Sequence, residues 1–260
     1  MAERNRQDKE GARPAAGSPV KGIRLNKYLS EAGVCSRREA DRRIAAGEVF
    51  VDGKRASTGM RVFPSQEIVC GGRQVTGGER PVLLAVNKPK GIVCTTSDKD
   101  RAENIVDFIR FPSRIYPVGR LDKESEGLLL MTNQGGLSDQ ILRARNGHEK
   151  EYEVTVSRPV NDAFIRRMAG GVPILGTVTR PCRVEKTGER SFRITLTQGM
   201  NRQIRRMCEA LGFEVTALKR VRIMNIRLAG LKTGEYREVT KEEWEELLRL
   251  LSGNGRQPAR

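Results

Sequence analysis

Three short stretches of the 260-residue chain carry side chains suited to chemistry. In GRLDKESEG, residues 119–127, Asp122 lies between Arg120 and Lys123, just ahead of the apolar run Leu128-Leu129-Leu130-Met131. In KEYEVTVS, Tyr152 opens a strand-like segment. In TQGMNRQIRRMCEALG, Asn201 is placed to cap a helix whose Ile204, Met207, Cys208 and Leu211 form a buried stripe. Arg202 and Arg206 should point away from that stripe. Arg205 should sit on its flank, where a guanidinium reaches a cleft beside the core. A carboxylate, a guanidinium and a phenol could serve covalent or acid–base catalysis. Each also has a plain structural reading: Asp122 bonded to turn amides, Arg205 its ion-pair partner, Tyr152 a core aromatic with a wet hydroxyl. Singly, none of them decides.

Other chemistries are poorly supported. The single histidine, His148, cannot supply a two-histidine metal site and is given no role. The five cysteines, at 35, 70, 94, 182 and 208, are widely spaced without a CxxC pair. Reduced thiols in a cytoplasmic protein are therefore expected, not a zinc ribbon or a disulfide framework. No P-loop or dinucleotide fingerprint occurs, so neither a metal nor a cofactor is expected. No apolar run approaches the ~20 residues of a membrane span. Residues 1–20 lack a signal-peptide core and read as a disordered tail. The net charge is +16, with +5 in residues 21–80 and +8 in residues 81–251, so basic character runs through the folded parts. That excess predicts a polyanionic partner, nucleic acid before membrane.

The elements that must position these groups fall into two blocks. Residues 21–80 begin with Leu25, Tyr28, Leu29 and Ala32 on one face of a short helix that stops at Gly33. Ser36 and Glu39 form an expected capping box for a second helix, with Ala40, Ile44 and Ala45 inward and Gly47 at its end. EVFVDGKRAS then reads as a hairpin about Asp52-Gly53. Arg37, Arg38, Arg42 and Arg43 are left on the outer side of the second helix, with only Glu39 and Asp41 nearby. Gly77, Gly78 and Pro81 mark a linker. Residues 81–251 read as an α+β domain with a mixed, largely antiparallel sheet. Its strands are VLLAVNKP, GIVCTT, GLLLMTN, YEVTVS, GTVTRPCRVEK and SFRITLTQG, and its helices NDAFIRRMAGG, NRQIRRMCEALG and TKEEWEELLRLL. The last helix is capped by Thr240 and Glu243 and packs Trp244, Leu247, Leu248 and Leu251. Residues 252–260 read as a tail.

Two resemblances follow from these residues. Helix, SRREADRRI helix and VFVDGK hairpin resemble the S4 RNA-binding domain, a small αL-like module. That resemblance implies RNA contact through Arg37, Arg38, Arg42 and Arg43, mostly to phosphates. GRLDKESEG, KEY and NRQIRR resemble, in order and spacing, the signature motifs of pseudouridine synthases, and NKPKG at 87–91 matches the motif that precedes them. The S4 domain and TQGMNRQIRRM point to the small-subunit-type branch acting on ribosomal RNA. NIVDF, GVPILGTVT, RITLTQGMNRQIRRMCE and RIMN are similar to its large-subunit synthases of the F type. The likeness runs from about residue 23 to 250.

What the resemblance implies is specific. Asp122 matches the essential aspartate that attacks the target nucleotide, at ribose C1′ or uracil C6. Arg205 matches the basic residue that pairs with it, and Tyr152 the aromatic that lies on the uracil. Arg120 fills the space left by the flipped base, and Ile204 packs beside Tyr152 to keep the pocket dry. Asn201, Arg202, Arg206, Lys219, Arg220 and Arg222 are expected on an RNA-facing surface. The substrate implied is a uridine of 23S rRNA near the peptidyl-transferase centre, with a tRNA as a second partner. A uridine in a stem cannot reach a buried carboxylate, so it must flip, at a cost of a few kcal/mol. The leucines after Asp122 are expected to floor that pocket. Two alternatives stand beside this one: a non-catalytic S4 protein acting in ribosome assembly, and a synthase of the same branch with another target. A DNA-binding regulator lacks any helix-turn-helix or finger pattern.

Overall fold

The computed structural model describes residues 22–76, 80–95, 103–143 and 147–253. The chain divides into two compact units between Gly77 and Gly78. The first twenty residues, those two linker glycines and residues 254–260 lie outside the described residues.

The N-terminal unit runs β1 (Ile23–Arg24), α1 (Leu25–Glu31), α2 (Arg37–Ala46), β2 (Val49–Val51), β3 (Lys54–Arg55), β4 (Arg61–Val62), β5 (Ile68–Cys70) and β6 (Arg73–Gln74). Strands β3-β2-β5-β6 form one small antiparallel sheet, and β1 pairs β4. Ser36 Oγ accepts the Glu39 amide at 3.1 Å and so starts α2. Glu39 turns its carboxylate to Arg42 at 2.6 Å and Arg43 at 3.2 Å, so the reciprocal half of the expected capping box is missing. Gly47 ends the helix in the left-handed conformation, where any Cβ would strike the Arg55 guanidinium. Leu25, Leu29, Ala40, Ile44, Val49, Val51 and Ile68 fill the core. Ala45, one residue past Ile44 and about 100° round the helix, is exposed and not inward as expected.

The four arginines of α2 do not share one fate. Arg37, Arg38 and Arg42 are exposed. Arg43 is drawn off the outer face, its Nε on Glu39 and its Nη1 toward Cys70 Sγ at 3.9 Å. Asp41 is taken up by the Asn26 amide at 2.9 and 3.0 Å.

The second unit runs β7 (Leu83–Lys88), α3 (Ile105–Ile109), β8 (Tyr116–Val118), β9 (Glu126–Thr132), α4 (Gly135–Leu142), β10 (Lys150–Val156), α5 (Asp162–Gly170), β11 (Pro173–Ile174), β12 (Thr177–Val178), β13 (Arg183–Gly188), β14 (Ser191–Leu196), α6 (Gln203–Ala210), β15 (Val215–Ile223), β16 (Ile226–Arg227), β17 (Tyr236–Glu238) and α7 (Lys241–Leu251). One nine-stranded sheet dominates, in the order β13-β14-β10-β15-β9-β7-β17, with β16 on β15 and β8 on β9. Its strand pairings are antiparallel except β15–β9, which is parallel.

β9 explains its own sequence. Leu128 and Leu130 enter one core with Leu83, Leu137, Ile226 and Leu247, while Leu129 and Met131 enter another with Val86, Ile105 and Ile115. A strand covered on both faces needs an unbroken apolar run. Pro181, without an amide to donate, separates β12 from β13, so GTVTRPCRVEK is two strands and not one. GIVCTT, expected as a strand, makes only one bridge over its described residues, Val93 to Asn104. In α7 the capping box of Thr240 and Glu243 is complete, but Leu248 is exposed, and Leu250 takes the packing role expected of it.

The free cysteines are largely core residues. Burial pushes the Cys208 thiol up to about 12 and the Cys182 thiol up to about 11. Both folded values lie above the ordinary 9.0, so the neutral thiols favour the fold below pH 9.0, and that contribution is lost as pH rises toward them. Native protein at pH 8 is expected to leave Cys208 unalkylated by iodoacetamide, and denatured protein to react fully. Fast native labelling of Cys208, read by peptide mass, would contradict its burial.

Candidate active site

The Asp122 loop joins β8 to β9 and is held from beneath. Gly119 has φ +77, and a Cβ there would lie 2.8 Å from Leu142. The Leu121 amide donates to Cys94 Sγ at 3.4 Å, and Ser125 N closes a turn on Asp122 O at 3.0 Å. Lys88, fully buried at the end of β7, donates to Pro89 O and Ser125 O at 2.8 Å each and to Lys123 O at 3.5 Å. Burial lowers the Lys88 ammonium's pKa, against the opposing pull of Cys94, Glu124, Asp122 and Glu126. Three carbonyls take up the ammonium, two of them from the loop itself, which makes Lys88 a clamp on Asp122's backbone. Nothing in the NKPKG spacing alone shows that clamp.

Asp122 stands at the mouth of a pocket, its side chain 31% exposed, and not deep within it as expected. Arg205 reaches it from α6 with Nε 3.8 Å from Oδ2. That guanidinium is fixed by Val215 O at 3.2 Å, Glu124 O at 3.1 Å and Ser125 Oγ at 3.3 Å. Its buried Nε makes no hydrogen bond and faces the carboxylate. Tyr152 lines the same pocket from β10, where a register shift against β15 falls between Glu151 and Tyr152. Ile204 is buried beside it. Arg120 lines the rim, exposed.

The apolar lining is Leu121, Leu196, Met200, Ile204 and Leu218, from strands, loops and α6, far apart in sequence. The leucines of β9 do not floor the pocket. Their side chains alternate into the two cores on either side of the sheet. Ser125 and Gln203, which also line the pocket, were not singled out in the sequence, and neither was Lys88.

Two of the expected RNA-facing residues, Arg220 and Arg222, are buried, and the start of α6 differs from the expected cap. The helix cap is Arg202 and not Asn201. Arg202 adopts a left-handed φ of 50, makes no side-chain cap, and lines the pocket with Nη1 3.9 Å from Asp122 Oδ2. Asn201 instead receives Arg206, whose Nε donates to its carbonyl at 3.1 Å and Nη2 to its Oδ1 at 3.4 Å. Arg220 is only 4% exposed, so it is no surface contact. Its Nε donates to Leu128 O at 2.7 Å, and its guanidinium lies 6.0 Å from the Tyr152 ring. Arg222 is buried too, paired at 2.9 Å with Glu149 and with Glu151, the neighbour of Tyr152. Lys219 is half-buried. These charges belong to β15, a central strand, and a buried charge persists only when paired or hydrogen-bonded.

The chain is similar to known proteins over most of its length. Residues 82–210 match the family model for RNA pseudouridylate synthase, and residues 23–68 match the S4 domain. The chain is 55% identical over 233 residues to the dual-specificity RNA pseudouridine synthase RluF of Salmonella typhi, covering 89% of this chain and 80% of that one. It is 35% identical over 241 residues to the ribosomal large subunit pseudouridine synthase B of Bacillus subtilis, covering 90% and 98%. A crystal structure of a pseudouridylate synthase superposes with a TM-score of 0.64 at 30% identity, covering 86% of this chain and 99% of that one. An Asp-bearing loop, an aromatic strand and an arginine helix meeting in one pocket thus sit in a chain that belongs to the RNA pseudouridine synthase family, with an S4 domain ahead of its catalytic domain.

Proposed function

We propose that this synthase isomerises one uridine of 23S rRNA near the peptidyl-transferase centre, with a tRNA uridine as a second substrate, and that it works in the cytoplasm. The observation that carries the chemistry is that Asp122 and Tyr152 line one pocket from a loop and a strand, with Arg205 of α6 set against the Asp122 carboxylate at 3.8 Å. The names of the relatives, dual-specificity and ribosomal large subunit, support the choice of RNA.

The target nucleotide leaves its stem, at a cost of a few kcal/mol, and its base stacks on Tyr152, which returns about 1–3 kcal/mol. Arg120, exposed at the rim, occupies the vacated place. Asp122 forms a covalent bond to the nucleotide, at ribose C1′ or uracil C6. The N1–C1′ bond breaks, the base turns, C5 bonds to C1′, and the bond to Asp122 breaks again so that the carboxylate is regenerated. C5 gives up its proton next to Tyr152 and N1 ends protonated, so no atom is gained or lost. Arg205 supplies the fixed countercharge to the carboxylate, and Leu196, Ile204 and Leu218 keep water from the ring.

Arg37, Arg38 and Arg42 are the S4 contacts to phosphate. Their joint reversal to glutamate is expected to weaken RNA binding and lower the salt slope by roughly two to three, with kcat on bound RNA retained. Unchanged binding in a salt titration would return α2 to a solvated face. The substrate assignment is tested with 23S rRNA and bulk tRNA from a strain lacking the gene, both carrying tritium at uridine C5. Release from the 23S rRNA supports the reading. Release from neither RNA, or from tRNA alone, removes the ribosomal target.

A further inference from the structure

Two arginines face Asp122, and they are held differently. Arg205 is 14% exposed and tied to three protein oxygens, so it cannot leave. Arg202 is 47% exposed, and its guanidinium makes no hydrogen bond among the described residues. Its sole charged partner there, Asp122, lies at 3.9 Å, beyond hydrogen-bond reach. A left-handed backbone at a non-glycine residue is costly and recurs where function requires it. Here the residue with that backbone lines the pocket that holds Asp122. A cation at the rim, loosely paired with the reactive carboxylate at 3.9 Å, has five donors free for another anion. The anion that arrives with a flipped nucleotide is its own phosphodiester.

We infer that Arg202 binds the phosphodiester of the flipped uridine and exchanges Asp122 for it, freeing the carboxylate as the substrate seats. The inference rests on the pseudouridine synthase reading above and adds a phosphate subsite to it. Arg202 is then a substrate-binding residue that couples occupancy of the pocket to release of the nucleophile. Arg205 remains as the standing countercharge.

The test uses the full chain and the stem-loop containing the uridine that the enzyme modifies, with methylphosphonate placed at the linkage 5′ or 3′ of that uridine. Arg202→Gly is the main variant, because glycine adopts a left-handed φ without strain. It is expected to melt no lower than wild type while kcat/KM falls about ten- to hundredfold. Arg202→Lys should recover part of that loss. In the wild type, one of the two neutral linkages should cost a similar factor, and in Arg202→Gly it should cost nothing more. Full activity of Arg202→Gly overturns the inference, and so do penalties that multiply at both linkages, which would leave Arg202 as a partner of Asp122 only. No product from wild type on the all-phosphate stem-loop would remove the substrate reading, and the inference with it.

Discussion

Asp122→Asn is expected to give a folded, RNA-binding protein that forms no pseudouridine. The substitution keeps size and shape. The loop's own supports are the Lys88 ammonium, the Cys94 thiol and the Ser125 turn, and these use backbone atoms that asparagine retains. What is lost is the one charge that Arg205 and Arg202 face. An amide is too weak a nucleophile to replace it, so tritium release from uridine C5 should fall by at least about 10⁴-fold. Filter binding should be unchanged or slightly stronger, and the melting midpoint close to wild type. Release within tenfold of wild type would take the nucleophile role from Asp122.

Gly127→Ala should be the most damaging single-methyl change near the site. Gly127 has φ +102, and a Cβ there would lie 2.3 Å from Arg220 O and 2.8 Å from Arg220 N. Both are backbone atoms of β15, so neither can swing aside. β15 meets β9 only at Lys219–Glu126 and Arg220–Gly127, and Arg220 also reaches past this point to Leu128 O. Pushing the strands apart therefore disturbs the Asp122 loop, the Tyr152 ring beside Arg220 and the parallel pairing together. Strain and overpacking together cost about 3 kcal/mol, read as a fall in the urea midpoint, with activity lost in step. A midpoint and kcat equal to wild type would show that β15 and β9 are not held this closely.

Elements built on plain periodicity were legible in the sequence. α6 and α7 show their stripes and β9 its apolar run, and Asp52-Gly53 marks its hairpin with two left-handed residues. β15 was not legible, although it lies between β10 and β9 at the middle of the sheet. Its LKRVRI text suggests a wet surface. Only the fold shows that Arg220 finds Leu128 O and Arg222 finds Glu149 and Glu151. The same limit governs the site. Asp122, Tyr152 and Arg205 stand in recognisable motifs, but the pocket wall comes from Leu196 and Leu218, whose sequence context is that of any buried strand. The cap of α6 falls at Arg202 and not at Asn201, because the chain enters the helix through a left-handed residue that helical spacing does not show.

The most direct measurement is a site-resolved pseudouridine map. RNA from a strain lacking the gene is treated with carbodiimide, and reverse-transcription stops are read with no protein, with wild type and with Asp122→Asn. The account predicts one uridine in the large-subunit rRNA restored by wild type and left unmodified by Asp122→Asn. Restoration by both proteins, or by neither while the RNA remains bound, would contradict it.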